Sequence, residues 1–279
     1  MTESYLSVII PAHQEERQIA ACLLALADQP SVPDVPREVI VVANGCTDQT
    51  VKMATAQSNR LQQSGWSLRV VDLPEGGKIG ALNRGDAEAS GDLRLYLDAD
   101  IRVGADLIPA LCEALRQPGP RYVGARLVVP PPSSRVSAAY ARFWQKLPFV
   151  AHGVTGAGLF AVNAEGRARW GKFPDIIADD AFVRLHFTPA ERTRVEAAYL
   201  WPISERLNPL VKVRRRQDAG TAQLARLYPE LARNSDGDRA SWGQALRLGL
   251  ADPEGFAAYA LVSLGVRMRK PADGWERNR

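Results

Sequence analysis

Histidine and cysteine are scarce in this chain, which contains three of each among its 279 residues. Three scattered histidines without an HExxH pair exclude a zinc site built from several imidazoles, and each histidine taken alone favours a structural, hydrogen-bonded role. The three cysteines lie far apart and form no CxxC pair. This spacing predicts free thiols in a reducing compartment rather than a disulfide framework or a zinc centre.

Several signatures of nucleotide and acyl chemistry are also absent. The chain contains no GxGxxG fingerprint, no GxxxxGK[ST] loop and no GxSxG elbow, which argues against a dinucleotide-dependent enzyme, a P-loop NTPase and a hydrolase of the nucleophile-elbow type. The apolar run at residues 255–266 is shorter than the roughly 20 residues that a transmembrane helix needs. Residues 1–7 have neither a basic start nor an apolar run, so we expect no secretion signal and a cytoplasmic location.

Charge is nearly balanced over the whole chain but not along it. The chain has 35 basic and 31 acidic residues, a net charge of +4. Residues 1–200 hold 21 basic and 22 acidic side chains, whereas residues 201–279 hold 14 and 9. The C-terminal part therefore favours an anionic partner such as a lipid surface. No nucleic-acid partner is expected, because the basic residues lack the interleaved aromatic side chains that stack on bases.

Short apolar runs of strand length alternate with helical patterns in the first hundred residues. The runs are residues 6–10, 39–42, 68–73 and 93–97. Helical spacing occurs between them at Ile19, Cys22, Leu23 and Leu26, and again over residues 48–63. This alternation predicts an α/β fold of the Rossmann-like type, in which helices cover both faces of a mostly parallel sheet.

The pattern changes after about residue 104. It predicts a helix over residues 105–116, a strand over 122–129 and a glycine-rich segment over 153–158. The strand signal fades after residue 191, and from about residue 221 the pattern is helical. We therefore predict a principal domain over residues 1–220 and a basic, helical extension over residues 221–279.

Polar residues follow three of the four predicted strands. These clusters are residues 11–16, 43–48 and 98–100. The carboxyl ends of parallel strands meet at one edge of a sheet, where open α/β sheets bind their ligands and where helix N-termini favour phosphate. The sequence therefore predicts a nucleotide-type site at this edge.

Asp98 and Asp100 are separated by one small residue, directly after a predicted strand. If the strand geometry continues, their carboxylates project to the same side, and the two charges repel unless a hard cation such as Mg²⁺ or Mn²⁺ lies between them. A solvated turn at the strand end is the alternative. The apolar run before the pair favours the metal site, because it places both carboxylates at the ligand edge.

Gly76, Gly77 and Lys78 precede a predicted helix that contains Leu82 and Asn83. Paired glycines let backbone amides approach an anion, and the lysine adds a positive charge. This motif is weak alone, and a solvated surface loop is the alternative.

Asp179 and Asp180 lie between two apolar segments, where an acidic pair suggests acid or base chemistry. An acidic helix start, stabilised by the helix dipole, is the alternative. Only one of the two side chains can face a cavity, because consecutive helical residues point about 100° apart.

Taken in order, these clusters resemble the motifs of the family 2 glycosyltransferases, which have the GT-A fold. That family has a PxxNE-type strand end, a DDGSxD-type turn, a GKxxALN segment, a DxD motif, a glycine-rich acceptor segment and an acidic base motif. The matching segments here are residues 11–15, 43–48, 77–83, 98–100, 155–158 and 179–180. Each match is weak alone, but six in the same order over residues 5–187 carry the resemblance.

The resemblance implies a role for each matching residue. Asp180 would be the general base. The donor nucleotide would be bound by Pro11, Ala12, His13, Glu15, Asn44, Lys78, Asp98 and Ala99. A Mg²⁺ or Mn²⁺ ion would be held by Asp100 together with Asp98. The acceptor side would include Gly156, Gly158 and Asp179.

The resemblance also implies the reaction. A catalytic domain of GT-A type over residues 1–220 would transfer one sugar, with inversion, from a nucleotide-diphosphate sugar to an acceptor hydroxyl. A UDP-sugar is the favoured donor, and a lipid-linked or cell-envelope glycan is one class of acceptor. Ala43 and Asn44 replace the usual acidic pair, which leaves the nucleotide open. Residues 213–217 lack the glutamine and tryptophan of the processive QxxRW motif at their positions, so single transfers are expected rather than polymer synthesis.

The basic C-terminal part has two interpretations. Aromatic residues near position 200 precede Lys212 and Arg214 to Arg216, and residues 255–270 combine an apolar run with flanking positive charge. Such segments lie on anionic membrane surfaces, and here they would present a lipid-linked acceptor to the cleft. Helices that pack on the core and expose solvated arginines are the alternative.

Two functions of other classes stay open. A nucleotidyltransferase has a similar sheet and metal pair, although residues 11–16 do not resemble its GxGTR-like loop. A non-catalytic, transferase-like scaffold is the second. Such a scaffold has no need for Lys78, Asp98, Asp100 and Asp180 together.

Overall fold

The computed structural model describes residues 4–235 and 242–268. In this part of the chain, eight strands form one sheet in the order β3-β2-β1-β4-β7-β6-β8-β5. The strands are β1 (Leu6–Ala12), β2 (Arg37–Asn44), β3 (Trp66–Leu73), β4 (Leu93–Leu97), β5 (Arg102–Val103), β6 (Tyr122–Val128), β7 (Leu159–Val162) and β8 (Arg192–Leu200). The four strands predicted in the first hundred residues are β1 to β4, so that part of the prediction is confirmed.

Helices account for most of the remaining described chain. They are α1 (Ile19–Ala27), α2 (Thr50–Thr55), α3 (Ser58–Gln63), α4 (Lys78–Glu88), α5 (Leu107–Leu115), α6 (Arg135–Trp144), α7 (Pro148–Ala151), α8 (Ala164–Arg167), α9 (Asp179–Arg184), α10 (Leu207–Leu227), α11 (Trp242–Ala251) and α12 (Pro253–Met268). Short 3-10 turns occupy Pro189–Glu191 and Pro229–Asn234. The helical pattern at residues 48–63 forms two helices, because the amide of Gln57 bonds to the carbonyl of Ala54, three residues back, and tightens the chain there.

Strand direction places most loop ends at one edge of the sheet. Strands β1, β2, β3 and β4 are parallel neighbours. Strand β7 is antiparallel to both β4 and β6, and β8 is parallel to β6. The carboxyl ends of β1 to β4, β6 and β8 therefore share an edge with the start of β7. The sheet is mixed rather than uniformly parallel, and the α/β fold prediction is confirmed.

The expectation that the strand signal fades after residue 191 is wrong, since β8 begins at Arg192. Arg192 is buried, and its guanidinium donates hydrogen bonds to the carbonyls of Phe187 and Asn234. Arg194 likewise donates to the carbonyl of Ala151. Charged side chains thus occupy inward positions of this strand, and they hide the apolar alternation on which strand prediction depends.

The central strands are buried on both faces. Val8 and Ile10 of β1 pack in a cluster with Leu23 of α1 and Leu111 of α5. Ile9, between them, belongs to a second cluster on the opposite face. Burial on both faces explains why these strands are unbroken apolar runs, and it makes the sheet a rigid support for the loops at its edge.

The C-terminal helices pack on the rest of the chain through α6. Tyr140 of α6 meets Val262 of α12 in a buried cluster, and Arg142 of α6 makes two 2.8 Å hydrogen bonds with Asp252, just before α12. Helix α10 runs through residue 220 without a break, and the division into two domains stays a prediction. Residues 236–241 and 269–279 of the predicted extension, including the basic pair at 269–270, lie outside the described residues.

Candidate active site

A cavity opens at the sheet edge where β4, α4 and α9 come together. Its apolar lining comes from Leu82, Tyr96, Leu97 and Phe160. The rest of its lining consists of seven residues that the sequence singled out: Pro11, Lys78, Asp98, Gly156, Gly158, Asp179 and Asp180. Residues predicted for the donor side, the acceptor side and the base thus surround one space. Their roles stay predictions.

Lys78 contacts carboxylates from two different segments that line this cavity. As the first residue of α4, it places its ammonium nitrogen 3.0 Å from Oδ1 of Asp98 and 3.1 Å from Oδ2 of Asp179. Burial opposes the charge on this lysine, but the carboxylates of Asp179, Asp98 and Asp180 outweigh burial and raise its pKa above the usual value. Lys78 is therefore a fixed cation between the DxD segment and the acidic helix α9.

Asp98 and Asp100 lie in a turn rather than on an extended strand. Strand β4 ends at Leu97, and the amide of Ile101 bonds to the carbonyl of Asp98 at 3.1 Å. The expectation that strand geometry continues through the pair is therefore wrong. Burial and the charges of Asp98 and Glu15 raise the pKa of Asp100 to about 7, so the two carboxylates still repel each other in this turn.

The two carboxylates fit a hard divalent cation. Their oxygens are the ligands that Mg²⁺ and Mn²⁺ prefer, and a cation would remove the repulsion that raises the pKa of Asp100. Within residues 4–235 and 242–268, no group of three or more metal-binding side chains occurs. Donor phosphate oxygens and water would have to supply the remaining ligands.

Asp180 differs from its neighbour in its surroundings. Both residues line the cavity, so the expectation that only one of them could face it is wrong. Asp179 is buried and carries the ion pair with Lys78, whereas Oδ1 of Asp180 accepts a 2.8 Å hydrogen bond from the amide of Ala181. Burial and the charge of Asp179 raise the pKa of Asp180 to about 6, although Lys78 opposes this shift. A carboxylate with a pKa near neutrality suits a general base.

Asn44 binds neighbouring backbone at both ends of its amide. Its nitrogen donates to the carbonyl of Ala12 at 2.8 Å, and its oxygen accepts from the amide of Gly77 at 2.9 Å. A carboxylate has no hydrogen to donate to Ala12, so asparagine suits this position better than the family's usual acid. At Gly45, with φ +58°, a Cβ would lie 2.7 Å from the amide nitrogen of Gly76. The two loops therefore touch through a glycine that no other residue can replace without strain.

The other predicted donor residues lie at the same edge without lining this cavity. Ala12 and Ala99 are buried. Nδ1 of His13 is 2.5 Å from the carbonyl oxygen of Asn44, and the amide of Glu15 donates a hydrogen bond to the hydroxyl oxygen of Thr50. These contacts fix the loops after β1 and β2 against each other.

Sequence reasoning missed Gln14, which bridges the same two loops. Its side-chain nitrogen donates to Oγ1 of Thr47 at 2.7 Å, and its oxygen accepts from the amides of Thr47 at 2.8 Å and Asp48 at 3.2 Å. The residue has a φ of 57°, which is uncommon outside glycine. The sequence placed Gln14 in the polar cluster at residues 11–16 but did not indicate this bridging role.

Sequence reasoning also missed a buried charge network beneath the cavity. Asp86 of α4 accepts hydrogen bonds from Arg94 of β4 and Arg167 of α8, and from the hydroxyl of Tyr96 at 2.6 Å. Burial opposes ionisation of Asp86, but these partners outweigh it and hold its pKa below the usual range. The network joins α4, which carries Lys78, to the strand that leads to the DxD turn. Because Asp86 and Arg167 are far apart in the chain, spacing gave no signal.

Asp86→Ala should lower the free energy of unfolding by about 3–5 kcal/mol, because it leaves two partly buried arginines and a buried hydroxyl without their shared acceptor. Urea unfolding followed by circular dichroism measures this change. Glu88→Ala is the matched control, since Glu88 lies on the same helix and pairs with Arg69 and Arg84 at the surface. Equal midpoints for the two variants would show that the Asp86 network contributes little stability.

Several solved structures have a similar fold. A mannosyltransferase from Pyrobaculum calidifontis in complex with GDP-Man and Mn²⁺ aligns with 96% of this chain and 76% of its own, with a TM-score of 0.58 and 21% identity. Glucosyl-3-phosphoglycerate synthase from Mycobacterium tuberculosis, in complex with Mn²⁺, UDP and glucosyl-3-phosphoglycerate, aligns with 84% of this chain and 82% of its own, with a TM-score of 0.55 and 24% identity. These likenesses confirm the GT-A type of fold.

Curated relatives match less than half of this chain. A dolichyl-phosphate beta-glucosyltransferase of Drosophila melanogaster is 38% identical over 126 residues, which cover 42% of this chain and 37% of the relative. A dolichol-phosphate mannosyltransferase of Pyrococcus furiosus is 30% identical over 123 residues, which cover 44% and 33%. The matches span about a third of each relative's own length. The model of Glycosyl transferase family 2 matches residues 7–164, more than half of the chain, and the chain therefore belongs to that family.

Proposed function

We propose that this protein transfers one sugar from a nucleoside diphosphate sugar to an acceptor, with a divalent cation and with inversion at the anomeric carbon. The observation that carries the proposal is the position of Lys78, which contacts Asp98 on the donor side and Asp179 beside the candidate base. A single cation thus links the diphosphate end of a donor to the residues that would activate an acceptor.

The donor side is suited to a diphosphate. Lys78 supplies a positive charge, and it is the first residue of α4, a helix N-terminus that favours phosphate. Asp98 and Asp100 would hold Mg²⁺ or Mn²⁺, which would supply positive charge to the departing diphosphate. Similar solved structures hold GDP-Man or UDP, each with Mn²⁺. We take a UDP-sugar as the first donor to test.

Asp180 would take the acceptor's proton. The acceptor oxygen forms its bond to the anomeric carbon as the bond from that carbon to the diphosphate breaks, and the proton moves to the Asp180 carboxylate. Attack from the face opposite the leaving group inverts the configuration. General-base assistance of this kind contributes about 10²- to 10⁴-fold to the rate.

The acceptor belongs to one of two chemical classes. A hydroxyl acceptor needs a base, and the raised pKa of Asp180 supports this class. The curated relatives are named for dolichyl phosphate, and a lipid phosphate would attack through an oxygen that is already ionised at neutral pH. We propose a hydroxyl acceptor, with a lipid-linked molecule as one source of it.

The C-terminal helices would dock on an anionic membrane. Helix α12 exposes an apolar stripe of Leu261, Leu264 and Met268, and α11 exposes Leu246 and Leu250, the last with 74% of its surface accessible. Residues 207–235 and 242–268 hold eight basic and four acidic side chains. Exposed apolar side chains among positive charges are typical of interfacial helices. No helix in the described ranges is long and apolar enough to cross a membrane.

A chain of contacts connects α12 to the acceptor side of the cavity. A Cβ on Gly158 would lie 3.0 Å from the ring of Trp201, and Trp201 stacks on Trp144 of α6 at 5.3 Å between ring centroids. Helix α6 in turn packs on α12. The cysteines of this chain are free, as is usual in a reducing compartment. We therefore propose that the protein lies in the cytoplasm, at the inner face of the membrane.

Leu261→Ser combined with Leu264→Ser should reduce binding to vesicles rich in phosphatidylglycerol by at least about tenfold, because two leucines no longer enter the interface. Co-sedimentation at low and high salt measures the bound fraction. Leu24→Ser is the matched control, since Leu24 is also an exposed leucine but lies on α1, outside the C-terminal helices. No binding by the native protein at either salt, or a stable dimer that covers α12, would contradict membrane docking.

Calorimetry with UDP, with and without Mn²⁺, tests the function itself. We expect Mn²⁺-dependent binding of UDP, followed by slow hydrolysis of the matching nucleotide sugar with water as acceptor. Binding of no nucleotide would favour a scaffold. Release of pyrophosphate from a nucleoside triphosphate and a sugar phosphate would favour a nucleotidyltransferase.

A further inference from the structure

Tyr122 carries a buried hydroxyl close to the candidate base. Tyr122 is the first residue of β6 and its side chain is fully buried, with 0% of its surface accessible. Among the described residues, its Oη is a buried polar atom without a hydrogen-bond partner. Unpaired buried polar groups are rare in folded proteins, because the lost hydrogen bond to water is not replaced. The unpaired hydroxyl of Tyr122 therefore calls for a specific explanation.

This oxygen lies directly beneath the acceptor-side glycine. Gly156 has a φ of +70°, and a Cβ there would lie 2.1 Å from Oη of Tyr122 and 3.8 Å from Cβ of Asp180. The two distances together place the hydroxyl within about 6 Å of the Asp180 Cβ. Only the absence of a side chain at Gly156 leaves this space between the phenol and the candidate base.

The two side chains differ in their freedom to move. The ring of Tyr122 is packed between Phe160, with centroids 5.7 Å apart, and Phe187, with centroids 5.4 Å apart. Its hydroxyl is therefore fixed in position. Asp180 lies at the start of α9 and is partly exposed, and its Oδ1 bonds to the amide of its own neighbour, Ala181. Rotation about its side-chain bonds would turn the carboxylate away from that amide.

We propose that Tyr122 is a positioning residue for Asp180, and that its hydroxyl donates a hydrogen bond to the Asp180 carboxylate when that side chain turns toward an acceptor. This role rests on the proposed function, because it concerns the base in the acceptor-bound state. The hydrogen bond holds one carboxylate oxygen and leaves the other to receive the acceptor's proton. The phenol keeps its own proton throughout, since burial raises its pKa well above the ordinary value.

Tyr122→Phe removes the hydroxyl and keeps the ring. The assay is hydrolysis of whichever nucleotide sugar the native protein cleaves fastest among UDP-glucose, UDP-N-acetylglucosamine and GDP-mannose, with water as acceptor. We expect kcat to fall about tenfold, since the bond is made to a charged group, while KM for the donor is unchanged. The unfolding temperature should stay the same or rise, because the variant loses only an unpaired buried hydroxyl.

Tyr199→Phe is the matched control for stability. Tyr199 is also buried, but its hydroxyl donates to the carbonyl of Ala157 at 2.7 Å, in the same glycine-rich segment. Removing this paired hydroxyl should lower the unfolding temperature. The contrast between the two variants separates a hydroxyl that supports the fold from one that supports the reaction.

Three outcomes would overturn the role of Tyr122. Full kcat in Tyr122→Phe, beside an active native protein, removes it. A fall in unfolding temperature as large as that of Tyr199→Phe shows that the hydroxyl is paired in the resting protein and serves the fold. Both results leave the proposed function intact, whereas a native protein that cleaves no nucleotide sugar overturns the function and the role together.

Discussion

Asp180→Asn should lower turnover with a hydroxyl acceptor by about 10²- to 10⁴-fold, the usual contribution of a general base. Asparagine has the same shape, and its side-chain oxygen can keep the hydrogen bond from the amide of Ala181, 2.8 Å long in the native protein. It cannot accept the acceptor's proton. Steady-state hydrolysis of the nucleotide sugar, with water as acceptor, measures the loss. Thermal unfolding of the same sample shows whether the fold is intact.

The same substitution should not destabilise the protein near neutral pH. Burial and Asp179 raise the pKa of Asp180 to about 6, above the roughly 3.9 of an unfolded aspartate. An acid with a higher pKa in the folded state contributes stability at low pH, and this contribution is lost as pH rises from about 4 to about 6. Above that range the ionised carboxylate is a cost that asparagine lacks. Activity and stability should therefore change in opposite directions.

Asp175→Asn is the matched control for this prediction. Asp175 is exposed and lies five residues before Asp180, so its loss of charge should leave turnover unchanged. In the native protein, kcat/KM should fall as pH drops through about 6, where Asp180 becomes protonated. If Asp180→Asn keeps full hydrolysis with water as acceptor, the base assignment is wrong. Full transfer to a lipid phosphate alone would show instead that the acceptor is a phosphate, which is already ionised and needs no base.

The sequence predicted strands β1 to β4 well because their local apolar pattern agrees with their burial in the folded protein. Strands β1 to β4 are buried on both faces, so they are apolar runs that stand out from the polar clusters after them. Residues 153–162 and 192–200 gave no such signal. Strand β7 is only Leu159–Val162, and β8 carries Arg192 and Arg194 at positions where buried carbonyls accept their hydrogen bonds. Long-range partners, absent from local sequence, decide both strands.

In the candidate site, too, the sequence predicted the features that have a local motif and missed those that depend on long-range contacts. Motif order brought Lys78, Asp98 and Asp180 into one hypothesis, and the structure places all three around one cavity. The sequence could not show that Lys78 pairs with both Asp98 and Asp179, since Asp179 lies about a hundred residues further along the chain. Tyr122 was also beyond reach, because an unpaired hydroxyl is defined only by everything packed around it.

Asp100→Asn should lower cleavage of the nucleotide sugar by about 10³-fold, because charge neutralisation by a bound divalent cation is worth several kcal/mol in such reactions. Burial, Asp98 and Glu15 raise the pKa of Asp100 to about 7, so the carboxylate is costly to ionise without a cation beside it. Asparagine removes this charge and weakens the cation site. The Mn²⁺-dependent part of UDP binding, measured by calorimetry, should be lost with it.

Thermal unfolding provides a second measure of the Asp100 site that does not depend on turnover. Mn²⁺ and UDP together should raise the unfolding temperature of the native protein, since a ligand that binds only the folded state stabilises it, and Asp100→Asn should lose this rise. Asp106→Asn is the control, because Asp106 is exposed and has a φ of 58° that asparagine also tolerates. If Asp100→Asn still binds UDP in a Mn²⁺-dependent way, the cation is held by other residues, and the assignment of Asp100 as its ligand is wrong.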